Sequence, residues 1–375
     1  MDCRYYRAGQ CVSCRQLPIP YAQQLADKQQ RLETLLQPFA LKTLLAPATG
    51  ALSGFRNKAK MVVQGSAESP VLGIVNHQKQ AIDLADCPLY PESFSGAFSL
   101  IRSFITQVGM QPYDIAARCG ELKYVLLSHS DFSGRWMLRF VLRSQKHVAS
   151  LRKHLPSFMQ AWPELQVVSV NLQPIPQAVL EGDTEIVLTD ETMLAEKLND
   201  VVLYTQPQSF FQTNNGVAAQ LYQAAREWTA PLDIDSCWDL FCGVGGFALH
   251  LANPQTKVTG IEISASAIAC ASRGAKEAGL KDFHFQALDS DAFASAQAEP
   301  PALMVVNPPR RGLGKGLCES ITQLQPQWLL YSSCNPDSLV ADIGLLADYQ
   351  LEKAQLFDMF PHTHHAEVLT LLKRR

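Results

Sequence analysis

From about residue 214 onward the chain alternates strand-like and helix-like stretches, and this alternation limits its fold more than any other feature. "NGVAAQLYQAAREWTA" reads as a helix and leads into "SCWDLFCGVGGFALHLA". Then come "KVTGIEIS", a helix, "FHFQALDSD", "ALMVVNPP", another helix and "WLLYSSCN". Strands separated by helices fold as an open, doubly wound α/β sheet, which binds its ligands at the carboxyl ends of the strands. Residues 55–190 have a different texture. "KAKMVVQG", "VLGIVN", "KYVLLSHS", "RWMLRFVLRS" and "LQVVSVNLQP" are short β-prone runs, several bounded by Gly, Ser or Asn. "HVASLRKHL" and "ETMLAEKLND" read as helices, as does "YAQQLADKQQRLETLLQ" at 21–37. The expected division is an α+β region over 1–195 and an α/β domain over 196–375, with the linker near 195–210.

Charge and cysteine usage narrow the function classes. The formal net charge of −3 removes any bulk basic surface, so nucleic-acid binding has to use a local patch. The opening "MDCRYYRAGQCVSC" has no apolar core and reads as no signal peptide, and no apolar run reaches bilayer length. A cytoplasmic protein, away from membranes and monomeric, is the expectation. Ten cysteines without an export signal point to metal or catalytic use rather than a disulfide frame.

The second half carries a nucleoside-cofactor pattern. In "DLFCGVGGF", Gly243, Gly245 and Gly246 lie between a strand and a helix, where glycine allows close backbone approach to a ligand. The spacing differs from the dinucleotide G-x-G-x-x-G. Glu262 ends the next strand, where a carboxylate accepts ribose hydroxyls; Asp289 follows the third, in reach of an adenine. "LMVVNPPRRG" then places Asn307 in a stiff loop at the same edge, followed by Arg310 and Arg311. Four strand-end features in this order favour S-adenosylmethionine over NAD.

Cys334, in "YSSCNP", falls at the end of the following strand. A thiol there is placed for covalent catalysis. Added to carbon 6 of a pyrimidine, it makes carbon 5 nucleophilic toward a sulfonium methyl, and a base then removes the carbon-5 proton. Glu367, inside an otherwise apolar run, is the candidate base, although a satisfied structural glutamate reads equally well from that run alone. His362, His364 and His365 nearby fit no standard zinc spacing.

"LFCGVGGF", "NPPRRG", "YSSCNP" and "FPHTHHAE" occur in this order and together resemble the RNA 5-methyluridine methyltransferase family over essentially the whole chain. The resemblance implies a Rossmann-like domain dependent on S-adenosylmethionine, with Cys334 as nucleophile and Glu367 as base. It places Gln212 of "QSFFQTN", Phe241, Glu262 and Asn307 around the cofactor, at the same edge as Gly243 and Asp289. One departure is Asn307, where most relatives carry Asp in Asp-Pro-Pro-Arg.

Cys3, Cys11 and Cys14 form C-x7-C-x2-C, and Cys87 in "LADCPLYP" is a plausible fourth ligand. Spacing alone leaves iron–sulfur and zinc open; the resemblance implies a [4Fe-4S] cluster. The other cysteines (119, 237, 242, 270 and 318) read as buried small hydrophobes. Arg56, Lys58 and Lys60 alternate along one strand, and Arg135, Arg139 and Arg143 follow later; beside a base-modifying site both sets read as phosphate contacts. The target uracil has to be unstacked, so an unpaired loop is expected. Cys3 stands almost first, so the small β-barrel that begins some family members is expected to be absent. Within the family the chain is most similar to the branch acting on 23S ribosomal RNA; tRNA-specific relatives usually lack the cluster cysteines.

Overall fold

The computed structural model describes the 375-residue chain except residues 77, 79, 178 and 254. It begins with the short helix α1 (Arg4–Arg7), the long helix α2 (Tyr21–Leu36) and the two-residue strand β1 (Thr43–Leu44). Strands β2 (Lys58–Gly65), β3 (Pro70–Val75) and β4 (Ala81–Asp83) precede α3 (Ser93–Val108). Next are β5 (Leu122–His129), β6 (Trp136–Leu142), α4 (Val148–Ala161), β7 (Leu165–Leu172) and β8 (Thr184–Val187). The pair β9 (Leu194–Leu198) and β10 (Val201–Thr205) leads to α5 (Asn215–Thr229). The alternating half runs β11 (Ser236–Leu240), α6 (Gly246–His250), β12 (Lys257–Glu262), α7 (Ala265–Glu277), β13 (Phe283–Ala287) and α8 (Ser290–Ser295). It closes with β14 (Leu303–Val306), α9 (Gly314–Leu324), β15 (Trp328–Ser333), α10 (Pro336–Leu345), β16 (Tyr349–Phe357) and β17 (Glu367–Arg374).

Two compact units result. The first comprises residues 1–14, 52–196 and 206–208. Its seven-stranded sheet has the order β4-β3-β2-β5-β6-β7-β8, with only β6 and β7 parallel. That parallel step is bridged by α4, as a parallel connection demands. Phe94, Phe98, Ile101, Phe104 and Ile105 of α3 are buried, and the Phe104 ring stacks on Phe158 of α4 at 4.0 Å between centroids.

The second unit comprises 15–51, 197–205 and 209–375. Its eight-stranded sheet has the order β1-β16-β17-β15-β14-β11-β12-β13. β17 is antiparallel to both neighbours, and the other pairs are parallel. Val217, Leu221, Phe247 and Leu249 cover one face, and Leu317, Ile321, Leu339 and Ile343 the other. The doubly wound expectation holds, with one redistribution. Residues 15–51 belong to this unit because Leu32 and Leu36 of α2 join the same core cluster and β1 extends the sheet beside β16.

One expected helix is not formed. Residues 191–200 contain strand β9, in which Leu194, Glu196 and Leu198 are buried in alternation. Two leucines four apart suit a helix, but the same residues also fit a two-residue period, and Asn199 adopts φ +56 to turn the chain into β10. Cys237, Cys242, Cys270 and Cys318 are buried, whereas Cys119 is exposed. Cys119 sits in a loop whose Asp114 backbone N–H donates to its carbonyl, not in a packed element.

Candidate active site

The carboxyl edge of the eight-stranded sheet gathers the predicted residues in strand order. Between β11 and α6, Phe241 adopts φ +63, an uncommon conformation for a residue with a side chain, and Gly243 follows at φ +54. A Cβ at Gly243 would meet open space, so a ligand can approach the backbone there. Gly246 has the opposite constraint, since a Cβ would strike the Tyr222 hydroxyl. Glu262 ends β12 and accepts the N–H groups of Gly243 (3.3 Å) and Ser264 (3.0 Å), which fixes its carboxylate against the loop. Asp289 caps α8 by accepting from Asp291 and Ala292 through one oxygen. Exposed Ile263 (76%) and Leu288 (45%) stand beside these two carboxylates and offer an apolar surface to a flat ring. These features fit a nucleoside ligand: carboxylates for hydroxyls and amines, apolar flanks, and an approachable backbone.

Asn307 is half-buried after β14, and its N–H donates to Leu240 across the sheet (3.4 Å). Gln212 is buried in the loop before α5. Two residues on, Asn214 caps α5 at Val217 (3.3 Å) and donates to the Met359 carbonyl (3.2 Å). That bond ties the Gln212 loop to the turn before β17.

The strand register brings the predicted nucleophile and the predicted base together. Ser333 of β15 pairs with Val368 of β17, so the next step of the ladder sets Cys334 opposite Glu367. Both faces of this pair are constrained by polar contacts. Ser332 donates to Glu367 at 2.6 Å, and the Arg310 guanidinium acts electrostatically on the Cys334 thiol. Glu367 is buried, and burial pushes its carboxyl up to about 7 against the opposing Ser332 bond. Cys334 is half-buried; burial raises its thiol, Glu367 adds to this, and Arg310 lowers it. Arg310 also contacts His365 at 2.5 Å, and its carbonyl accepts from Asn335 (3.0 Å).

Three supports escaped the sequence reading. Asp239, at the head of "DLFCGVGGF", is fully buried, and it accepts the Ala248 N–H of α6 at 2.9 Å. Burial pushes its carboxyl to about 7. Asp342 of α10 is also buried and accepts from the Leu313 N–H (2.8 Å) and the Tyr331 hydroxyl (2.6 Å), so it anchors the loop that carries Arg310. Helix α2 holds the turn before Glu367. Lys28 pairs with Asp358 at 2.6 Å, Tyr21 donates to Asp358 at 2.8 Å, and Gln24 accepts the N–H of buried His362 at 3.0 Å. A charged residue inside an apolar strand was a legible signal for Asp239; nothing in the sequence links α2 to residues 358–362. The histidines serve this turn: His362 adopts φ +64, and Gln16 contacts His364 at 3.0 Å.

In the other unit, the four predicted ligand cysteines share one neighbourhood. Burial pushes the Cys14 thiol up to about 12, and Cys87, Cys11 and Cys3 each add to the rise while Arg56 opposes it. Burial also raises Cys87, which the Leu89 backbone opposes. Among the described residues, no group of three or more His, Cys, Asp or Glu is arranged to hold a metal ion. The donor set therefore fits a soft-metal centre in chemistry, while ligating geometry is not formed.

The expected phosphate contacts divide. Arg139 is buried and bound by Glu185 (2.6 Å) and Glu181 (3.1 Å), so it reaches no phosphate. It occupies an inward position of β6, where only paired charge is tolerated. Arg135 donates to the Pro163 carbonyl (2.7 Å) and Arg143 to that of Arg118 (2.9 Å). Lys58 is half-buried beside Arg139, and Lys60 is exposed.

The chain resembles known proteins throughout. A family profile described as tRNA (Uracil-5-)-methyltransferase matches residues 302–375, and one described as Methyltransferase domain matches 235–303. The 23S rRNA (uracil(747)-C(5))-methyltransferase RlmC of Pectobacterium atrosepticum is 56% identical over 374 residues, covering 100% of both chains. The proteins of that name from Serratia proteamaculans and Yersinia pseudotuberculosis are 55% and 54% identical, again over 100% of both chains. Among solved structures, the Pyrococcus abyssi tRNA (uracil-54, C5)-methyltransferase in complex with S-adenosyl-L-homocysteine superimposes with a TM-score of 0.79. It is 25% identical, and the match covers 96% of this chain and 86% of that one.

Proposed function

Because this chain belongs to the 23S rRNA (uracil-C5)-methyltransferase family, we propose that it methylates carbon 5 of one uridine in 23S ribosomal RNA, position 747 in the numbering its relatives carry. The placement of Cys334 opposite Glu367, with Arg310 on the sulfur, carries this reading. The cytoplasm, where ribosomal RNA resides, is the corresponding compartment.

Gln212, Phe241, Gly243, Glu262, Asp289 and Asn307 would hold S-adenosylmethionine, which would supply an electrophilic methyl group. Arg310 draws the Cys334 proton equilibrium toward thiolate. The sulfur adds to carbon 6 of the uracil, which shifts the electron pair onto carbon 5 and the carbonyl oxygen. Carbon 5 would then attack the methyl carbon as its bond to the sulfonium sulfur breaks, leaving a neutral thioether. The Glu367 carboxylate removes the carbon-5 proton, the electron pair re-forms the ring double bond, and Cys334 leaves as thiolate. A base near 7 suits this step, because about half of it is ionised at neutral pH. An amide at position 307 places no negative charge near the sulfonium.

The decisive experiment uses RNA with 5-fluorouridine at the target. Fluorine cannot leave as a cation, so the sulfur–carbon bond persists through denaturation. An adduct that vanishes in Cys334→Ala supports the reading; methylated natural RNA without any adduct moves the reaction to a nitrogen or oxygen.

The same reading assigns Cys3, Cys11, Cys14 and Cys87 to a [4Fe-4S] cluster. Their mutual electrostatic influence supports it, and a structural task fits a reaction without net redox change. Anaerobically purified protein should contain iron and labile sulfide, both lost in Cys87→Ser. Zinc without sulfide would overturn this assignment.

A further inference from the structure

With Arg139 enclosed by carboxylates, the cationic surface of the first unit has to be found elsewhere. Residues 132–163 contain no Asp or Glu in a chain of net charge −3, yet they hold six Arg or Lys. Arg135, Arg139 and Arg143 are engaged by protein oxygens. Lys146, Arg152 and Lys153 remain, all exposed on or just before α4.

α4 turns Leu151, Leu155 and Phe158 inward. Its outer face is Ala149, Arg152, Lys153, Pro156, Ser157 and Gln160. Other helices of this chain neutralise their cations at helical spacing: Arg273 pairs with Glu277 on α7 (3.0 Å) and Lys315 with Glu319 on α9 (3.5 Å). On α4, positions three and four residues from Arg152 and Lys153 hold Val, Ala, Leu, Pro and Ser, and none can pair with them. Lys146 and His147 stand at the helix start without an acidic residue in the first turn, where the helix dipole disfavours cations. Helix stability therefore gives no reason for this charge pattern, and an external anion does.

We propose that the outer face of α4, through Lys146, Arg152 and Lys153, docks the phosphate backbone of the RNA substrate. The partner's chemistry follows from the face. It presents cations and small polar groups without one large apolar side chain, so it lacks the aromatic or aliphatic anchor that a protein or membrane partner requires. A hydrated polyanion needs only the charges. The choice of RNA rests on the functional reading above; the surface itself does not.

The test compares the full-length wild type with the triple variant Lys146→Gln, Arg152→Gln, Lys153→Gln, using a 23S rRNA fragment that contains the target uridine. Losing three phosphate contacts should flatten the dependence of log affinity on log salt by about 2, at roughly 0.7 per contact. From about 50 to about 200 mM salt, the wild type should then lose roughly 15- to 20-fold more affinity than the variant. The RNA KM should rise at low salt while kcat at saturating RNA and S-adenosylmethionine affinity stay unchanged. An unchanged salt slope and KM in a variant that still binds S-adenosylmethionine would overturn the proposal, as would a drop in kcat alone. A wild type that binds the fragment with the steeper slope but never methylates it would remove the functional reading and leave the surface standing.

Discussion

Burial governs both members of the Cys334–Glu367 pair, raising the thiol above its ordinary range and the carboxyl to about 7. Glu367 is pushed to about 7, so kcat should rise with pH through about 7 as the carboxylate forms. Glu367→Gln should lower turnover by at least about 10²-fold and accumulate the RNA adduct, measured by denaturing gel. Wild-type turnover in that variant would remove Glu367 from the base role. Stability should run the opposite way. Folded Glu367 and Asp239 hold protons that the unfolded chain releases above about pH 4. Their contribution is complete below that pH and is lost as pH rises through about 7, on the order of 3 kcal/mol for each group. Thermal midpoints from acid to neutral pH should fall accordingly, with a shallower fall in Glu367→Gln. A pH-independent midpoint would contradict the raised values. Asp342 acts at one remove. Asp342→Ala leaves the buried Tyr331 hydroxyl and Leu313 N–H without their acceptor, at roughly 1–3 kcal/mol each, and releases the Arg310 loop. Slower alkylation of Cys334 at fixed pH would report the displaced guanidinium, and Asp342→Asn should recover part of it. Cys334 and Glu367 were legible as candidates, the first because a thiol ends a strand just before a turn, the second because a charge inside an apolar run is costly enough to attract notice. Asp342 was not: on a helix, its carboxylate reads as one more solvated charge until the packing is known.

At the scale of elements, α2 is a brace rather than a bystander. The Lys28–Asp358 pair is almost completely buried, so removing one partner strands the other charge. Lys28→Met should cost about 3–5 kcal/mol by denaturant titration, and Lys28→Met with Asp358→Leu should cost less than the two single changes together. Additive costs would mean the pair is not coupled. The alternating strands and helices from α5 to β15 were readable because each carries its own period and punctuation. β9 was misread because a five-residue run satisfies two periods at once. The antiparallel entry of β17 between β15 and β16 leaves no local trace, since pairing partners far apart in sequence are chosen by the sheet.

The molecule as a whole is divided less simply than its sequence texture, which placed one boundary near 195. Residues 15–51 contribute Leu32 and Leu36 to the core of the second unit and add β1 to its sheet. A fragment starting at residue 197 should therefore lack near-ultraviolet circular dichroism and S-adenosylmethionine binding, and adding residues 15–51 ahead of it should restore both. A well-ordered shorter fragment would show that the brace is dispensable.

β17 has one more consequence, which concerns time. Every other residue of the site precedes it in the chain, so a polypeptide emerging from the ribosome has its glycine loop and its thiol before it has its base. On the proposed mechanism, a chain halted there would own a nucleophile able to seize a uracil and no means of releasing it. The missing strand removes that hazard, because without β17 there is a gap between β15 and β16, and the edge that aims Cys334 is not assembled. On the proposed mechanism an interrupted product should thus be inert rather than a trap for ribosomal RNA.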